Sequence, residues 1–281
     1  MKRNVKNSTA LNLQGLRLGI NSMIALYNSI HFRKSIEKIN LADNCITDYG
    51  MHSIKNIIAN CQGKLQCLNL ASNMISGEGM ELFLDDLIAN TSLKMLDLGV
   101  LESSMRKNSL GIQGAVCLSA LLIRNKSLES LIINDNDFGS DGGECIGVAL
   151  AQNNSLKVLK IAENDLKSEG AIPIIAASQH LEILCLSKNY IKQDCGKHLQ
   201  KLIKKSKCLK KLQLDFNELM VHGAQCIAQG LSRNHSLESL NIKGNVIGDQ
   251  GLILLAQSLI NGPPNLRELD ISLNEIGPQG F

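Results

Sequence analysis

A pattern of leucines and one asparagine recurs nine times along the chain at nearly constant spacing. It reads L-x-x-L-x-[LI]-x-x-N-x-[ILF]-x-x-x-G and is clearest from Leu65 to Gly79. Most copies start 28 or 29 residues after the previous one, whereas the third spans 35 residues and the fifth spans 25. Self-similarity at such a period predicts a solenoid, in which each copy buries its apolar side against its neighbours.

Within each copy, apolar residues first alternate and then recur at helical spacing. In the second copy, Leu68 and Leu70 share one face of an alternating segment, which predicts a strand. Residues 79–89 then carry one broad apolar stripe, which predicts a helix. Strands joined by helical crossovers must be parallel. Because helices are wider than the ~4.8 Å between strands, we expect a right-handed α/β horseshoe with strands on the concave face and helices on the convex face.

The asparagine of each copy stands in a predicted tight turn directly after the strand. Its side-chain amide can bond backbone groups there, so in-register copies should form a ladder of asparagines. The predicted ladder residues are Asn44, Asn73, Asn108, Asn136, Asn164, Asn189, Asn217, Asn245 and Asn274. Asn-x-Ser triplets also precede several strands, as at Asn125, and we interpret them as a turn consensus rather than as glycosylation sites.

The copies run without a linker from residue 36 to residue 281, which predicts one continuous domain of nine copies. The segment 1–35 carries leucines at matching positions, with Leu16 where the asparagine would stand, and we interpret it as a degenerate capping copy. The last copy has a strand and a turn but reaches Phe281 before a helix. We therefore expect this copy to be truncated, with further chain or a partner covering its end.

The 28-residue unit with a full helix resembles the ribonuclease-inhibitor-like subfamily of leucine-rich-repeat proteins. The match is carried by residues 237–247, which read LESLNIKGNVI, together with Gly251 and the equivalent positions of the other copies. The resemblance implies a leucine-rich-repeat solenoid. Members of this class serve as inhibitors, immune-receptor sensing domains, ciliary components and cytoskeletal regulators, so the resemblance also implies partner binding. It does not imply one activity, because a fold does not fix a function.

Composition and motifs narrow the classes of function. The net charge of +3 is too small to indicate nucleic-acid binding, and no apolar run is long enough to span a bilayer. The N-terminus lacks the apolar core of a signal peptide, which predicts a cytoplasmic location, with nuclear and ciliary locations open. Nine cysteines without zinc-site spacing predict reduced thiols and no metal. Without a phosphate-binding loop or an H-E-x-x-H motif, we predict no enzymatic activity and no cofactor.

The outward residues of each strand form the candidate binding face. The middle copies place apolar side chains there, beside an insertion at residues 99–110, and later copies place charges and one aromatic side chain. The candidate partner-binding residues are Met95, Arg106, Ile132, Val158, Lys160, Ile183, Cys185, Lys211, Asp215 and Phe216. The intervening leucines, such as Leu131, should be buried. A lysine-rich helix at residues 197–207 is interpreted as a solvated outer face, although it could attract an acidic protein surface or lipid.

These observations favour a non-catalytic interaction module or scaffold that binds a protein partner through the concave face and adjacent loops. An alternative is a GTPase-activating protein similar to the Ran activators, although the acidic tail expected from that resemblance is not seen in the chain. A ribonuclease inhibitor is less favoured, because the chain has no tryptophan and no strict alternation between two kinds of copy. The oligomeric state stays open.

Overall fold

The computed structural model describes residues 9–30, 36–61, 63–261 and 265–277. Each copy of the sequence pattern forms a strand of three residues, a turn and a helical segment, except that no helix is described after the last strand. The chain divides into two compact units, residues 1–137 (unit 1) and residues 138–281 (unit 2).

Unit 1 contains five parallel strands that pair in chain order. They are β1 (Ala10–Asn12), β2 (Lys38–Asn40), β3 (Cys67–Asn69), β4 (Met95–Asp97) and β5 (Ser130–Ile132). The helices of this unit are α1 (Ile20–Ile30), α2 (Thr47–Asn60), α3 (Gly77–Glu81), α4 (Leu84–Ala89) and α5 (Gly111–Arg124). The central residues Leu68, Leu96 and Leu131 are in register across three strands, so each strand continues the apolar layer of its neighbour.

Unit 2 repeats this arrangement. Its strands are β6 (Val158–Lys160), β7 (Ile183–Cys185), β8 (Lys211–Gln213), β9 (Ser239–Asn241) and β10 (Glu268–Asp270), which also pair in chain order and in parallel. Its helices are α6 (Gly139–Leu150), α7 (Lys167–Ala177), α8 (Gly196–Lys205), α9 (Met220–Leu231) and α10 (Gly248–Asn261). Short 3-10 turns precede β7 and α8.

Burial follows the predicted alternation. The central leucines of the strands, Leu96, Leu131, Leu159 and Leu184, are fully buried. Their neighbours Met95, Ile132, Val158 and Ile183 are partly exposed on the other side of the strand. The predicted face assignment is therefore confirmed, as is the predicted α/β class of parallel strands that alternate with helices.

The helix predicted at residues 79–89 is wrong in one respect. It is divided into α3 and α4, because Phe83 leaves helical geometry with φ −123° and ψ 9°. Phe83 is the largest fully buried side chain of the described core. The ring lies inside unit 1, where burying an aromatic side chain of this size is strongly stabilising.

All nine predicted ladder asparagines are buried. In unit 1, Asn108 Oδ1 accepts hydrogen bonds from the backbone amides of Asn73 (2.9 Å) and Ile75 (3.0 Å). Asn108 Nδ2 donates to the carbonyl oxygens of Leu70 (3.0 Å) and Leu98 (2.9 Å). One side chain thus joins the turns of two neighbouring copies and satisfies backbone groups that the turns leave without a partner.

The asparagines of the Asn-x-Ser triplets occupy a second buried position, at the opposite end of each copy from the ladder asparagine. Asn125 Oδ1 accepts from the amides of Ser127 and Leu128, both at 2.9 Å. Asn125 Nδ2 donates to the carbonyl oxygens of Leu87 (2.9 Å) and Asn90 (2.8 Å). The equivalent residues Asn90, Asn153 and Asn234 are also buried. These contacts give the triplets a structural role in the turn that enters each strand.

The N-terminal segment extends unit 1 by one strand. β1 pairs with β2, and Asn44 Nδ2 donates to the carbonyl oxygen of Leu13 at 3.0 Å. Leu16, which replaces the ladder asparagine, is 56% exposed. Residue 35, on one side of the predicted boundary, lies outside the described residues, as do residues 278–281 of the last copy.

Candidate functional site

The strand face of unit 1 holds two of the predicted contact residues. Met95 lies on β4 and Ile132 on β5, and both are partly exposed. They do not face each other directly, because Met95 is paired with Ser130 and Ile132 with Asp97. The apolar surface they offer is therefore interrupted by a hydroxyl and a carboxylate.

Residues 100–107 of the insertion, here called the strap, fold back across unit 1. Arg106 Nη1 forms an ion pair with Asp43 Oδ1 at 2.8 Å, and Arg106 Nε donates to Cys45 Sγ at 3.2 Å. Ser104 Oγ donates to the same Asp43 oxygen at 2.5 Å. The hydrogen bond from Ser104 and then the one from Arg106 hold the pKa of the Asp43 carboxyl below its usual value. Arg106, predicted to contact a partner, is thus engaged within unit 1.

Further contacts hold the strap near both of its ends. The amide of Leu101 donates to Ser72 Oγ at 2.8 Å, and Lys107 forms ion pairs with Asp135 and Asp137. Between these anchors Met105 is fully exposed. The strap therefore presents an apolar side chain from a backbone that is fixed on both sides.

The strand face of unit 2 combines apolar and basic residues. Val158 lies opposite Ile183, which lies opposite Lys211 on the next strand, and Lys160 lies opposite Cys185. Cys185 departs from the expectation of an outward contact residue, because it is only 7% exposed and its sulfur lies 3.4 Å from Ser187 Oγ. A small side chain at this position is covered by its neighbours.

Asp215 is held rather than free. Its Oδ1 accepts from Ser187 Oγ at 2.6 Å and from Asn241 Nδ2 at 3.0 Å. These two bonds link three successive copies of unit 2 and orient the carboxylate. A partner would meet Asp215 as a prepositioned acceptor.

Two exposed aromatic side chains of unit 2 lie in the turns that follow its strands. Phe216 and Tyr190 line a groove of about 500 Å³ together with Glu163, Asp165 and Lys188. Tyr190 is 58% exposed and Phe216 is 42% exposed. Lys188 forms an ion pair with Glu163 at 3.0 Å. These five residues are called the aromatic groove.

Phe216 is fixed in place by its surroundings. Lys243 Nζ lies 5.5 Å from the centre of the ring, a cation–π arrangement. Gly244 has φ +63°, and a Cβ added there would stand 2.8 Å from Phe216 Cδ1. Glycine at this position permits both the left-handed backbone and the close approach of the ring.

Tyr190 is not among the predicted contact residues, yet it is more exposed than Phe216, the one aromatic residue among them. The sequence did contain a signal for it. Tyr190 follows ladder residue Asn189 directly, and Phe216 precedes ladder residue Asn217 directly. Residues adjacent to the ladder in neighbouring copies lie on the same edge, so two aromatics there predict one shared surface.

Comparison with models of known protein families identifies the repeated copies. The family model described as "Leucine Rich repeat" matches residues 34–55, 64–84, 124–147, 152–174, 233–256 and 262–280. The chain contains leucine-rich repeats. The finer subfamily predicted from the 28-residue unit stays a prediction.

The relatives of these leucine-rich repeats are distant. NACHT, LRR and PYD domains-containing protein 13 of Homo sapiens is 31% identical over 99 residues, which cover 35% of this chain and 10% of that protein. NACHT, LRR and PYD domains-containing protein 14 of Mus musculus is 26% identical over 245 residues, which cover 85% of this chain and 22% of that protein. The chain thus spans less than a quarter of the length of these curated relatives.

A solved structure of the Rad7 and Elc1 complex in yeast is also similar. It is 18% identical, has a TM-score of 0.49, and covers 91% of this chain and 67% of that chain.

The leucine-rich repeats offer few reactive groups. Among the described residues, no three His, Cys, Asp or Glu side chains are grouped as a metal site would require. Burial raises the pKa of the Cys195 thiol to about 12, so this sulfur is protonated at neutral pH and is not a nucleophile. No helix in the described part of the chain is long and apolar enough to cross a membrane.

Proposed function

We propose that this chain is a protein-interaction module that binds a polypeptide partner through unit 2, with the aromatic groove at the centre of the interface. Leucine-rich repeats generally act in protein–protein interaction, and the chain contains them. The observation that carries the proposal is the pair of exposed aromatic side chains, Tyr190 and Phe216, that line one groove. The strand face with Val158, Ile183 and Lys211 would flank this centre.

Aromatic side chains are suited to this role for energetic reasons. They bury a large apolar area with few rotatable bonds, and they dominate the residues whose truncation costs about 2 kcal/mol or more of binding free energy. Phe216 is already positioned by Lys243 and Gly244, so little side-chain freedom is lost on binding. The mixed charges of Glu163, Asp165 and Lys188 around the rings would give the interface a polar rim.

We further propose that the module is non-catalytic and works in the reducing environment of the cytoplasm. All nine cysteines lie among the described residues, and each is a free thiol, which supports this location. No contact or relative described above favours a GTPase-activating or ribonuclease-inhibiting activity.

The test uses the 281-residue chain as bait in affinity capture with mass spectrometry. Three baits are compared: the wild type, the double variant Tyr190→Ala/Phe216→Ala, and Tyr49→Ala. Tyr49 is a matched control, because it is 78% exposed on α2 of unit 1 and lies outside the groove. We expect at least one protein that is captured by the wild type and by Tyr49→Ala but lost with the double variant.

A binding measurement then gives the magnitude. With that protein purified, calorimetry should show Kd rising by about 30-fold or more in the double variant, which corresponds to about 2 kcal/mol. Capture of every protein by a double variant that circular dichroism shows to be folded would contradict a role for the groove.

A further inference from the structure

Helix α8 and the residue pair that follows it carry a surface of one sign. The exposed lysines are Lys197, Lys201, Lys204, Lys205 and Lys207. No Asp or Glu occurs between Asp194 and Asp215 in the sequence. Within the described part of the chain, none of these five ammonium groups forms an ion pair with a carboxylate. We call these five residues the lysine surface.

Other lysines of the protein form ion pairs with carboxylates. Lys94 pairs with Glu129 at 2.9 Å in unit 1, and Lys210 pairs with Glu182 at 2.9 Å in unit 2. Surfaces suited to solubility intersperse charges of both signs in this way. The lysine surface instead keeps like charges together, a single-sign patch that surfaces serving only solubility avoid.

The stability of helix α8 does not account for the lysine surface either. Lys197 and Lys201 are four residues apart on one face of α8, a spacing at which like charges destabilise a helix. Lys197 also lies in the first turn, next to the positive end of the helix dipole. The last-turn residues Lys204 and Lys205 do complement the dipole, but this explains only part of the surface.

Of the two helices that pack against α8, α7 carries Glu169 and α9 carries no carboxylate. α9 packs against α8 and contains no acidic residue, and Gln229 on α9 accepts a hydrogen bond from Gln200 on α8 at 2.9 Å. Residues 195–237 contain eight basic and two acidic residues, whereas the whole chain has a net charge of only +3. Positive charge is therefore concentrated in this part of unit 2.

The side chains around the lysines favour an acidic polypeptide over a membrane surface or a single-stranded nucleic acid as the ligand. The apolar residues of α8, namely Leu199, Leu202 and Ile203, are all buried. Helices that bind membrane surfaces use an exposed apolar face, and proteins that bind single-stranded nucleic acid commonly stack bases on aromatic side chains. α8 has neither an exposed apolar side chain nor an aromatic one. An acidic polypeptide requires neither.

We propose that the lysine surface docks an acidic segment of a protein partner, with aspartate or glutamate carboxylates pairing with Lys197, Lys201 and Lys204. Along a helix these positions advance by about 6 Å and about 4.5 Å, which matches carboxylates spaced at i, i+4 and i+7 on an acidic helix. Because α8 belongs to the helical layer and the aromatic groove to the turns after the strands, the lysine surface is a second contact site that does not rest on the groove.

The test measures fluorescence anisotropy of a labelled helical peptide with glutamate at i, i+4 and i+7. The variant Lys197→Glu/Lys201→Glu/Lys204→Glu is compared with Lys38→Glu/Lys64→Glu/Arg124→Glu, which changes net charge equally at exposed positions of unit 1. We expect Kd to rise by roughly tenfold or more in the first variant, because attraction becomes repulsion at three contacts. The control should stay within about twofold, and salt should weaken wild-type binding.

Further variants and two alternative ligands test whether the lysine surface itself binds the acidic peptide. The milder Lys197→Gln/Lys201→Gln/Lys204→Gln variant should also weaken binding, and circular dichroism of both lysine variants tests whether they are folded. Tyr190→Ala/Phe216→Ala should bind the peptide normally, so failure of this proposal and failure of the groove proposal are distinguishable. Equal losses in the lysine variant and the unit 1 control would overturn the proposal. Tighter, lysine-dependent binding of phosphatidylserine vesicles or of oligouridine RNA would also overturn it and assign the surface to that ligand.

Discussion

Replacing one ladder asparagine should reveal how much each side chain contributes to unit 2. Asn189 is fully buried, and its Oδ1 accepts from the amide of Asn164 at 2.9 Å. Its Nδ2 donates to the carbonyl oxygen of Ile161 at 2.9 Å. Asn189→Ala leaves both of these backbone groups buried without a partner. Each such group costs about 1–3 kcal/mol, so we expect a loss of about 3 kcal/mol in the free energy of unfolding.

The matched control is Asn154→Ala, the same substitution at an exposed asparagine of unit 2. It should change stability by less than about 0.5 kcal/mol. In thermal unfolding followed by circular dichroism, the loss for Asn189→Ala corresponds to a Tm lower by about 6–12 °C. Equal Tm values for the two variants would refute the reasoning that the buried amide satisfies backbone groups of two copies.

Two further predictions concern charge and reactivity. The lowered pKa of Asp43 means that the ionised carboxylate stabilises unit 1 above its ordinary pKa of 3.8, and that this contribution is lost as pH falls below that value. Urea unfolding between pH 5 and pH 3 should therefore depend less on pH in Asp43→Asn than in the wild type, and identical profiles would contradict the strap contacts. Cys208 is exposed whereas Cys195 is buried with a pKa of about 12, so a thiol reagent at pH 8 should modify native Cys208 well before Cys195, as peptide mapping would show. Modification of Cys195 first would contradict its burial.

The repeat pattern predicted the fold because every copy carries the same three sequence signals. Strand alternation at Leu131 and Leu159, the helical stripes and the turn asparagines agree with one another in each copy. One departure, the break at Phe83, could not be read from the sequence, because Phe83 fits the apolar stripe equally well in a continuous helix. Whether the helix or the buried ring sets the local geometry depends on packing against neighbouring copies.

The candidate site was less accessible to sequence reasoning. Alternation placed Ile183 correctly but could not show that Cys185, on the same side of the strand, is covered by its neighbours. The ion pair of Arg106 with Asp43 joins residues 63 positions apart, and it depends on the path of an insertion that has no periodicity to guide a prediction. Tyr190 could have been found by comparing the positions that flank the asparagine in adjacent copies.

The strap has a consequence for how unit 1 loses its structure. In an array of stacked copies, interactions normally reach only the adjacent copy, so unfolding can start at an end and proceed one copy at a time. The contacts of Ser104 and Arg106 with Asp43 pass over the copy that contains β3 and join the turn after β2 to the loop after β4. Such a second-neighbour link means that the copy containing β2 cannot open without releasing the strap. Fraying from that side is then opposed by interactions two copies away, and the first three copies should open as one cooperative block.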